Sequence, residues 1–175
     1  MRQVGLLLFL LPALAGAAQL HVGSSGIDDV TCGADLSPCS TLNYTIGRAS
    51  SGDEIVLLAG TMSGPGNRNI EWPNNLTDVA IRAASASPAD TVVDLEYQGL
   101  LFDFYDDPPV VLEGFTIRRG AGKEPETGRE PGGVLRIELS SPSFIRMHFR
   151  DCFLQGTNFA SRGSVGCATT LCSTS

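Results

Sequence analysis

Short apolar segments recur along this chain, and Gly, Pro and Asn residues separate them. A chain that forms such a strand, turns a corner and forms the next one can wind into a stack of coils. Every coil then buries its apolar side chains against the coil below it. The segments of this kind predict strands over 55–59, 79–83, 92–95, 100–104, 110–117, 134–139 and 144–153.

Alternation of apolar and polar residues predicts which side chains of these strands face the core. In the last segment the apolar members are expected to point inward; they are Ile145, Met147 and Phe149. The polar members alternate with them and are expected on the outer face; they are Arg146, His148 and Arg150. Long helices are absent from the pattern, and a sandwich would show closer and more regular hairpin signals. We therefore predict an all-β protein, a parallel β-solenoid of three or four coils.

The first 18 residues have the pattern of a secretory signal peptide. Arg2 gives a positive start, residues 6–14 form a compact apolar run, and Ala15, Gly16, Ala17 and Ala18 are small. Cleavage is expected after Ala17 or Ala18, and the alternative is an uncleaved anchor. No later segment approaches the roughly 18 apolar residues that a membrane span needs. We expect a secreted, extracellular product without stable membrane insertion.

Charge and length limit the partners and the number of domains. The 175 residues carry 12 basic and 19 acidic side chains and a net charge of -7, which argues against nucleic acid as the main partner. Residues 19–39 are predicted to be a lead-in, and 40–155 a single β-helix domain. Residues 156–175 are rich in Ser, Thr and Gly and are expected to be a disordered tail.

Five cysteines in an exported chain are candidates for disulfide bonds. Cys32 and Cys39 flank a small loop and are expected to pair. The other three leave an odd count, so at least one thiol is free or paired between molecules; they are Cys152, Cys167 and Cys172. The two histidines, His21 and His148, lie at no zinc-ligand spacing from a cysteine pair.

Two local patterns complete the N-terminal half. Asn43 and Asn75 each begin an N-glycosylation sequon, which has meaning in a eukaryotic secretory pathway if the asparagines are exposed. Ser40 or Thr41 can cap a short helix, whose apolar residues recur at helical spacing.

Several motifs, in their order and spacing, resemble those of secreted right-handed parallel β-helix proteins. The resemblance is to pectin-lyase-like chains and to polymorphic outer-membrane-protein-like repeats, and it covers about residues 32–153. The matching segments are Cys32-Gly33, Pro38-Cys39-Ser40-Thr41-Leu42, Gly52-Asp53-Glu54-Ile55-Val56-Leu57, Gly60-Thr61, Leu112-Glu113-Gly114-Phe115-Thr116-Ile117, Gly120, Gly132-Gly133-Val134, Ser141-Pro142, Phe149 and Cys152-Phe153. The resemblance implies a right-handed solenoid whose first coil is capped by a short helix. It does not by itself imply an activity.

The chain also departs from those repeats. It has Gly-Gly-Val at 132–134 and lacks the Phe-x-x-Asn that usually follows, and the pattern fades after Gly156. Solenoids need a cap at each end, and the second cap has no counterpart here. We expect a shortened relative of a longer β-helix protein, in which self-association through the last coil is possible.

The preferred ligand-binding hypothesis is a basic column on the outside of the coils. Its members are Arg82, Arg118, Arg146, His148 and Arg150. Arginine binds carboxylates and sulfates through paired hydrogen bonds, so the column predicts recognition of an extracellular or cell-wall polysaccharide. The alternative is that these side chains only solvate the surface and pair with Glu113, Glu138 or Asp151.

An enzymatic alternative is a polysaccharide lyase acting on acidic glycans. It would use calcium bound by Asp103, Asp106 and Asp107, with Arg118 or Arg146 as the base or as a carboxylate clamp. The competing interpretation of these aspartates is a polar corner stopped by Pro108 and Pro109. No complete catalytic set is found, so the prediction is a non-catalytic recognition or adhesion protein without a cofactor. A third possibility is an incomplete gene product with no activity of its own.

Overall fold

The computed structural model describes residues 16–122 and 133–154, which form a parallel β-solenoid of about four turns. This confirms the predicted fold class. The elements in chain order are β1 (Gln19–Val22), α1 (Leu42–Ile46), β2 (Glu54–Leu57), β3 (Gly60–Met62), β4 (Ile70–Glu71), β5 (Ala80–Ala83), β6 (Thr91–Asp94), β7 (Phe102–Tyr105), β8 (Val111–Glu113), β9 (Thr116–Arg118), β10 (Ala121–Gly122), β11 (Leu135–Glu138), β12 (Ser143–Ile145), β13 (His148–Arg150) and β14 (Phe153–Leu154).

Three parallel sheets run along the described part of the solenoid, and each coil adds strands to them. The first sheet has the order β1-β2-β5-β8-β12, the second β13-β9-β6-β3 and the third β11-β7-β4. A short pair, β10-β14, is formed by the strands that follow β9 and β13 along the chain. Neighbouring coils are therefore about 4.8 Å apart, the spacing of hydrogen-bonded strands.

The register stacks apolar side chains into columns that fill the interior. One column of the first sheet contains Leu20, Ile55, Ile81, Leu112 and Phe144. The third sheet stacks Ile70, Phe102 and Leu135 in the same way. The Trp72 ring packs edge-on against Phe102, with 5.7 Å between centroids. Because each column continues through successive coils, the core is a continuous rod of apolar contacts.

The N-terminal end is closed by α1 and by a cross-linked loop. The Thr41 side chain caps α1 by accepting a hydrogen bond from the Tyr44 N–H at 3.3 Å, which confirms the predicted helix. Cys32 and Cys39 form the expected disulfide. The strand β1 lies inside the segment predicted as a lead-in, yet it pairs with β2. The first sheet therefore includes a strand from within residues 19–39.

Two of the predicted strands are broken by sharp corners. The segment 110–117 forms β8 and β9 around Gly114, whose φ is 78°. The segment 144–153 forms three strands, because Arg146 (φ 51°) and Asp151 (φ 52°) adopt the left-handed conformation. A left-handed residue turns the chain onto the next sheet and interrupts the alternation of side chains.

The corner at Arg146 changes which side chains of this segment face the core. Phe144 lies in the inward column of the first sheet and packs against the core, whereas Ile145 is 42% exposed. Ile145 was expected to point inward, and this expectation is wrong. Met147 is buried and Phe149 packs against the core, as expected.

Replacing these two neighbours tests the register of the last described coil. Phe144→Ala should lower the free energy of unfolding by about 2–3 kcal/mol, because it removes a ring that packs on the core and on Phe149. Ile145→Ala should cost less than about 1 kcal/mol. Urea denaturation of both variants measures the difference. A larger loss for Ile145→Ala would contradict the register described above.

A candidate binding corner between the second and third sheets

Two of the predicted arginines lie on the side of the first sheet and are engaged in ion pairs. Arg82 contacts Glu54 through Nη1 at 2.7 Å and Glu113 through Nε at 2.9 Å. Arg146, at the corner after β12, contacts the other oxygen of Glu113 at 3.1 Å. These arginines form an ion-pair ladder in which both contact Glu113, as the alternative interpretation of the basic column predicted. Surface pairs of this kind contribute little stability.

The other members of the predicted column lie on the second sheet. Arg118 and Arg150 are register partners in β9 and β13, and His148 lies across from Thr116. His148 is half-buried, and its Nδ1 has no hydrogen-bond partner among the described residues. The five predicted residues are thus divided between two faces, because the Gly114 and Arg146 corners separate the sheets.

A buried carboxylate holds two arginines together at the end of β6. Asp94 is 2% exposed, and it accepts hydrogen bonds from Arg118 Nε at 2.8 Å and from Arg119 Nε and Nη2 at 2.7 Å each. Burial alone would raise the pKa of Asp94. Hydrogen bonds from Arg119, the Glu96 N–H and Arg118 outweigh burial, so the pKa lies below its ordinary value. Asp94 is therefore a charged anchor that fixes both guanidinium groups.

From this anchor a polar chain runs around the corner to the third sheet. The Arg119 guanidinium lies 5.7 Å from the centroid of the Tyr97 ring, a cation–π distance. Arg68 forms an ion pair with Glu96 and donates to Gln98 Oε1 at 2.7 Å. Gln98 is exposed and lines a cleft on the third sheet. The arginine pair and the cleft are therefore parts of one polar surface.

The cleft encloses about 350 Å³ beside the outer face of the third sheet. Three charged residues from successive coils are in register across it: Glu71, Asp103 and Arg136. Arg136 holds both oxygens of Asp103, and each side chain of this pair is 12% exposed. Burial lowers the pKa of Arg136, while the charges of Glu138 and Glu71 raise it. The remaining lining residues are Asn69, Gln98, Gly99 and Leu100.

Gly99 is required where two coils approach each other at the edge of this cleft. A Cβ on Gly99 would lie 2.0 Å from Asn69 Oδ1, and its φ is 150°. Asn69 in turn accepts from the Leu100 N–H and donates to the Gln98 carbonyl, both at 3.3 Å. The amide side chain is thus fixed by the backbone of the next coil, and the edge of the cleft is preformed.

An aromatic side chain extends the same face. Tyr105 lies two residues after Asp103 in β7, so both point outward from the third sheet. Tyr105 is 40% exposed and is the register partner of Glu138. An exposed ring on the same strand face as a fixed carboxylate adds an apolar platform to the hydrogen-bonding groups of the third sheet.

The structure does not bring the predicted calcium ligands together. Asp103 is held by Arg136, and Asp106 is exposed at the corner after β7. Asp107 is buried and accepts from the Tyr105 N–H at 2.6 Å. Within residues 16–122 and 133–154, the single group with three suitable ligand atoms close enough for a metal is Asp28, Cys32 and Cys39. Both of its cysteines are consumed by the disulfide.

The remaining predicted positions have the following environments. Asn43 and Asn75 are both exposed. Cys152 is a buried free thiol, and burial raises its pKa. Cys167, Cys172, the predicted tail and most of the predicted signal peptide lie outside the described residues.

Comparison with known proteins yields no match to a family model, a curated protein or a solved structure. Across the described ranges, no helix has the length and apolar character needed to cross a membrane.

Removing the charge of Asp94 tests whether it anchors the corner. Asp94→Asn leaves two guanidinium groups without their shared anion and should lower the free energy of unfolding by about 2 kcal/mol. Glu54→Gln, which weakens the exposed ladder, should cost less than about 1 kcal/mol. Chemical denaturation at neutral pH measures both. Equal small losses would show that Asp94 is not an anchor.

Asp107 should make stability depend on pH in the opposite sense to Asp94. Burial and the charge of Asp106 raise the pKa of Asp107 above 3.8, so the folded chain holds this proton more tightly than the unfolded chain. The stability that it contributes below pH 3.8 is lost as pH rises through the raised pKa. Asp107→Asn should therefore stabilise the protein at pH 7. Thermal unfolding at a series of pH values should show that this gain shrinks on acidification; a pH-independent difference would contradict it.

Proposed function

We propose that this chain is a secreted, non-catalytic protein that recognises carbohydrate through the cleft of the third sheet. The single observation that carries the proposal is the cleft itself. It presents fixed amide and charged side chains, and the half-exposed ring of Tyr105 follows two residues after Asp103 on the same face of β7. Known small-ligand sites have the same combination of a concave surface and a few oriented polar groups.

The chemistry of the lining suits a sugar. Hydroxyl groups are both donors and acceptors, and the side chains of Asn69 and Gln98 carry both functions. Glu71 adds an exposed acceptor on the same face. The flat side of a pyranose ring is apolar and can pack on an aromatic ring such as Tyr105. Because Asn69 and the Asp103–Arg136 pair are already held in place, little side-chain ordering is needed on binding.

Recognition is favoured over catalysis by the state of the carboxylates. Both oxygens of Asp103 are engaged by Arg136, which leaves this group poorly placed to move a proton. The calcium set of the lyase alternative is dispersed across the corner after β7. Secretion is supported by the signal-like first residues and by the Cys32–Cys39 disulfide, since disulfides persist mainly in oxidising compartments.

A panel of neutral and acidic oligosaccharides tests the proposal by calorimetry or by glycan array. At least one glycan should bind saturably, and Tyr105→Ala and Gln98→Ala should each weaken it by about tenfold or more. Tyr44→Ala removes a tyrosine from α1 that is not among the residues lining the cleft, and it serves as the matched control. No binding across the panel, or equal losses for Tyr105→Ala and Tyr44→Ala, would overturn the proposal. New unsaturated sugar ends in the presence of calcium would instead favour the lyase.

A further inference from the structure

We propose that Arg118 and Arg150 form an oxyanion-binding site on the outer face of the second sheet. It would take a carboxylate or sulfate group. Assigning that group to a glycan rests on the proposed function, whereas the anion site itself rests on the geometry of the arginines. The site is adjacent to the cleft but distinct from it.

The register places the two arginine residues side by side. Arg118 in β9 and Arg150 in β13 are direct partners in neighbouring coils, so their Cα atoms are about 4.8 Å apart. Both side chains are exposed, Arg118 to 41%. Two like charges placed directly across from each other on a sheet repel and destabilise it. An anion between them would reverse the sign of that interaction.

The charges of the described neighbours do not satisfy this pair. Asp94 is shared between Arg118 and Arg119, and Glu96 is paired with Arg68. Across residues 16–122 and 133–154, no carboxylate lies within ion-pair distance of Arg150. A local positive excess remains on a protein whose net charge is -7. The arginines of the first sheet differ in this respect, because Glu113 contacts both Arg82 and Arg146.

The donors of Arg118 are oriented and available. Its contact with Asp94 uses Nε. Its two Nη atoms make no hydrogen bond to the described part of the chain. Asp94 is buried, and it fixes the plane of the guanidinium while leaving the outer fork open. A planar fork of this kind matches the oxygens of a carboxylate or sulfate. Arg150 supplies a second set of donors from the next coil.

The position of the site relative to the cleft suggests how one ligand could use both. Arg119 shares Asp94 with Arg118 and lies over Tyr97, and Gln98 next to Tyr97 lines the cleft. A chain of sugar units bound in the cleft could thus extend around the corner toward the arginines. Its charged substituent would then determine selectivity, because neutral glycans gain nothing from the guanidinium pair.

Titration with simple anions tests the site without any glycan. Sodium sulfate and, separately, sodium glucuronate are added to the ¹⁵N-labelled protein at constant ionic strength set with sodium chloride, and the arginine Nε–Hε signals are followed by NMR. We expect saturable shifts of the Arg118 and Arg150 signals. Arg150→Gln should weaken the binding by about tenfold, since charge-assisted hydrogen bonds are lost. Arg146→Gln, an equal change of charge on another face, should leave it within about twofold.

Shifts that grow linearly with sulfate, or equal effects of the two variants, would overturn the site. If Arg150→Gln fails to fold, Arg150→Lys keeps the charge and removes the fork, and the same weakening is expected. The two anions distinguish recognition of a sulfate from recognition of a carboxylate. Saturable binding of either anion, or of both, supports the site and identifies the group that it binds. Saturable anion binding with a negative glycan panel would retain this site and reject the carbohydrate proposal. Glycan binding without saturable anion binding would retain the carbohydrate proposal and reject this site.

Discussion

In-register stacking of parallel strands is the constraint on which the rest of this structure depends. Each coil places its apolar side chains directly on those of the coil before it, and the backbone hydrogen bonds fix that alignment. The same alignment acts on the outer surface, where side chains distant in sequence become neighbours about 4.8 Å apart. Glu71, Asp103 and Arg136 lie side by side for this reason alone.

The same stacking brings arginines of neighbouring coils together, and carboxylates placed between them neutralise part of their charge. Glu113 lies between two arginines on the exposed first sheet, where the pairs are weak. Asp94 does the same at the end of β6, but it is buried, and therefore it positions Arg118 and Arg119 as well as neutralising charge. This difference in burial is why the corner between the second and third sheets is the better candidate for a site. A preformed polar surface of this kind lowers the ordering cost of binding.

The sequence was sufficient to predict the class of fold, because the apolar residues of each short strand point to the same interior. The Thr41 cap and the Cys32–Cys39 disulfide were predictable too, since both depend on residues close in sequence. The alternation failed at Arg146, where a left-handed residue turns the chain and exposes Ile145. The left-handed conformation favours Gly, Asn and Asp, and an arginine there gives no sequence signal of a corner.

The candidate site was largely beyond sequence reasoning for a related reason. Adjacency in sequence groups Asp103 with Asp106 and Asp107 as calcium ligands, because the sequence alone does not show which residues of other coils lie beside it. Its actual partner, Arg136, is in the next coil. Strand alternation likewise predicts a single column of arginines, because it does not reveal the corners that divide these residues between two sheets. Predicting these pairs requires the alignment of strands between neighbouring coils, which depends on the length of each coil.

A crystal structure of the protein with an oligosaccharide from the panel tests the central claim most directly. The account predicts sugar density on the third sheet, packed on Tyr105 and hydrogen-bonded to Gln98 and Asn69. An acidic substituent is predicted to lie toward Arg118. Density over the ion-pair ladder of the first sheet, with the cleft empty, would contradict the account.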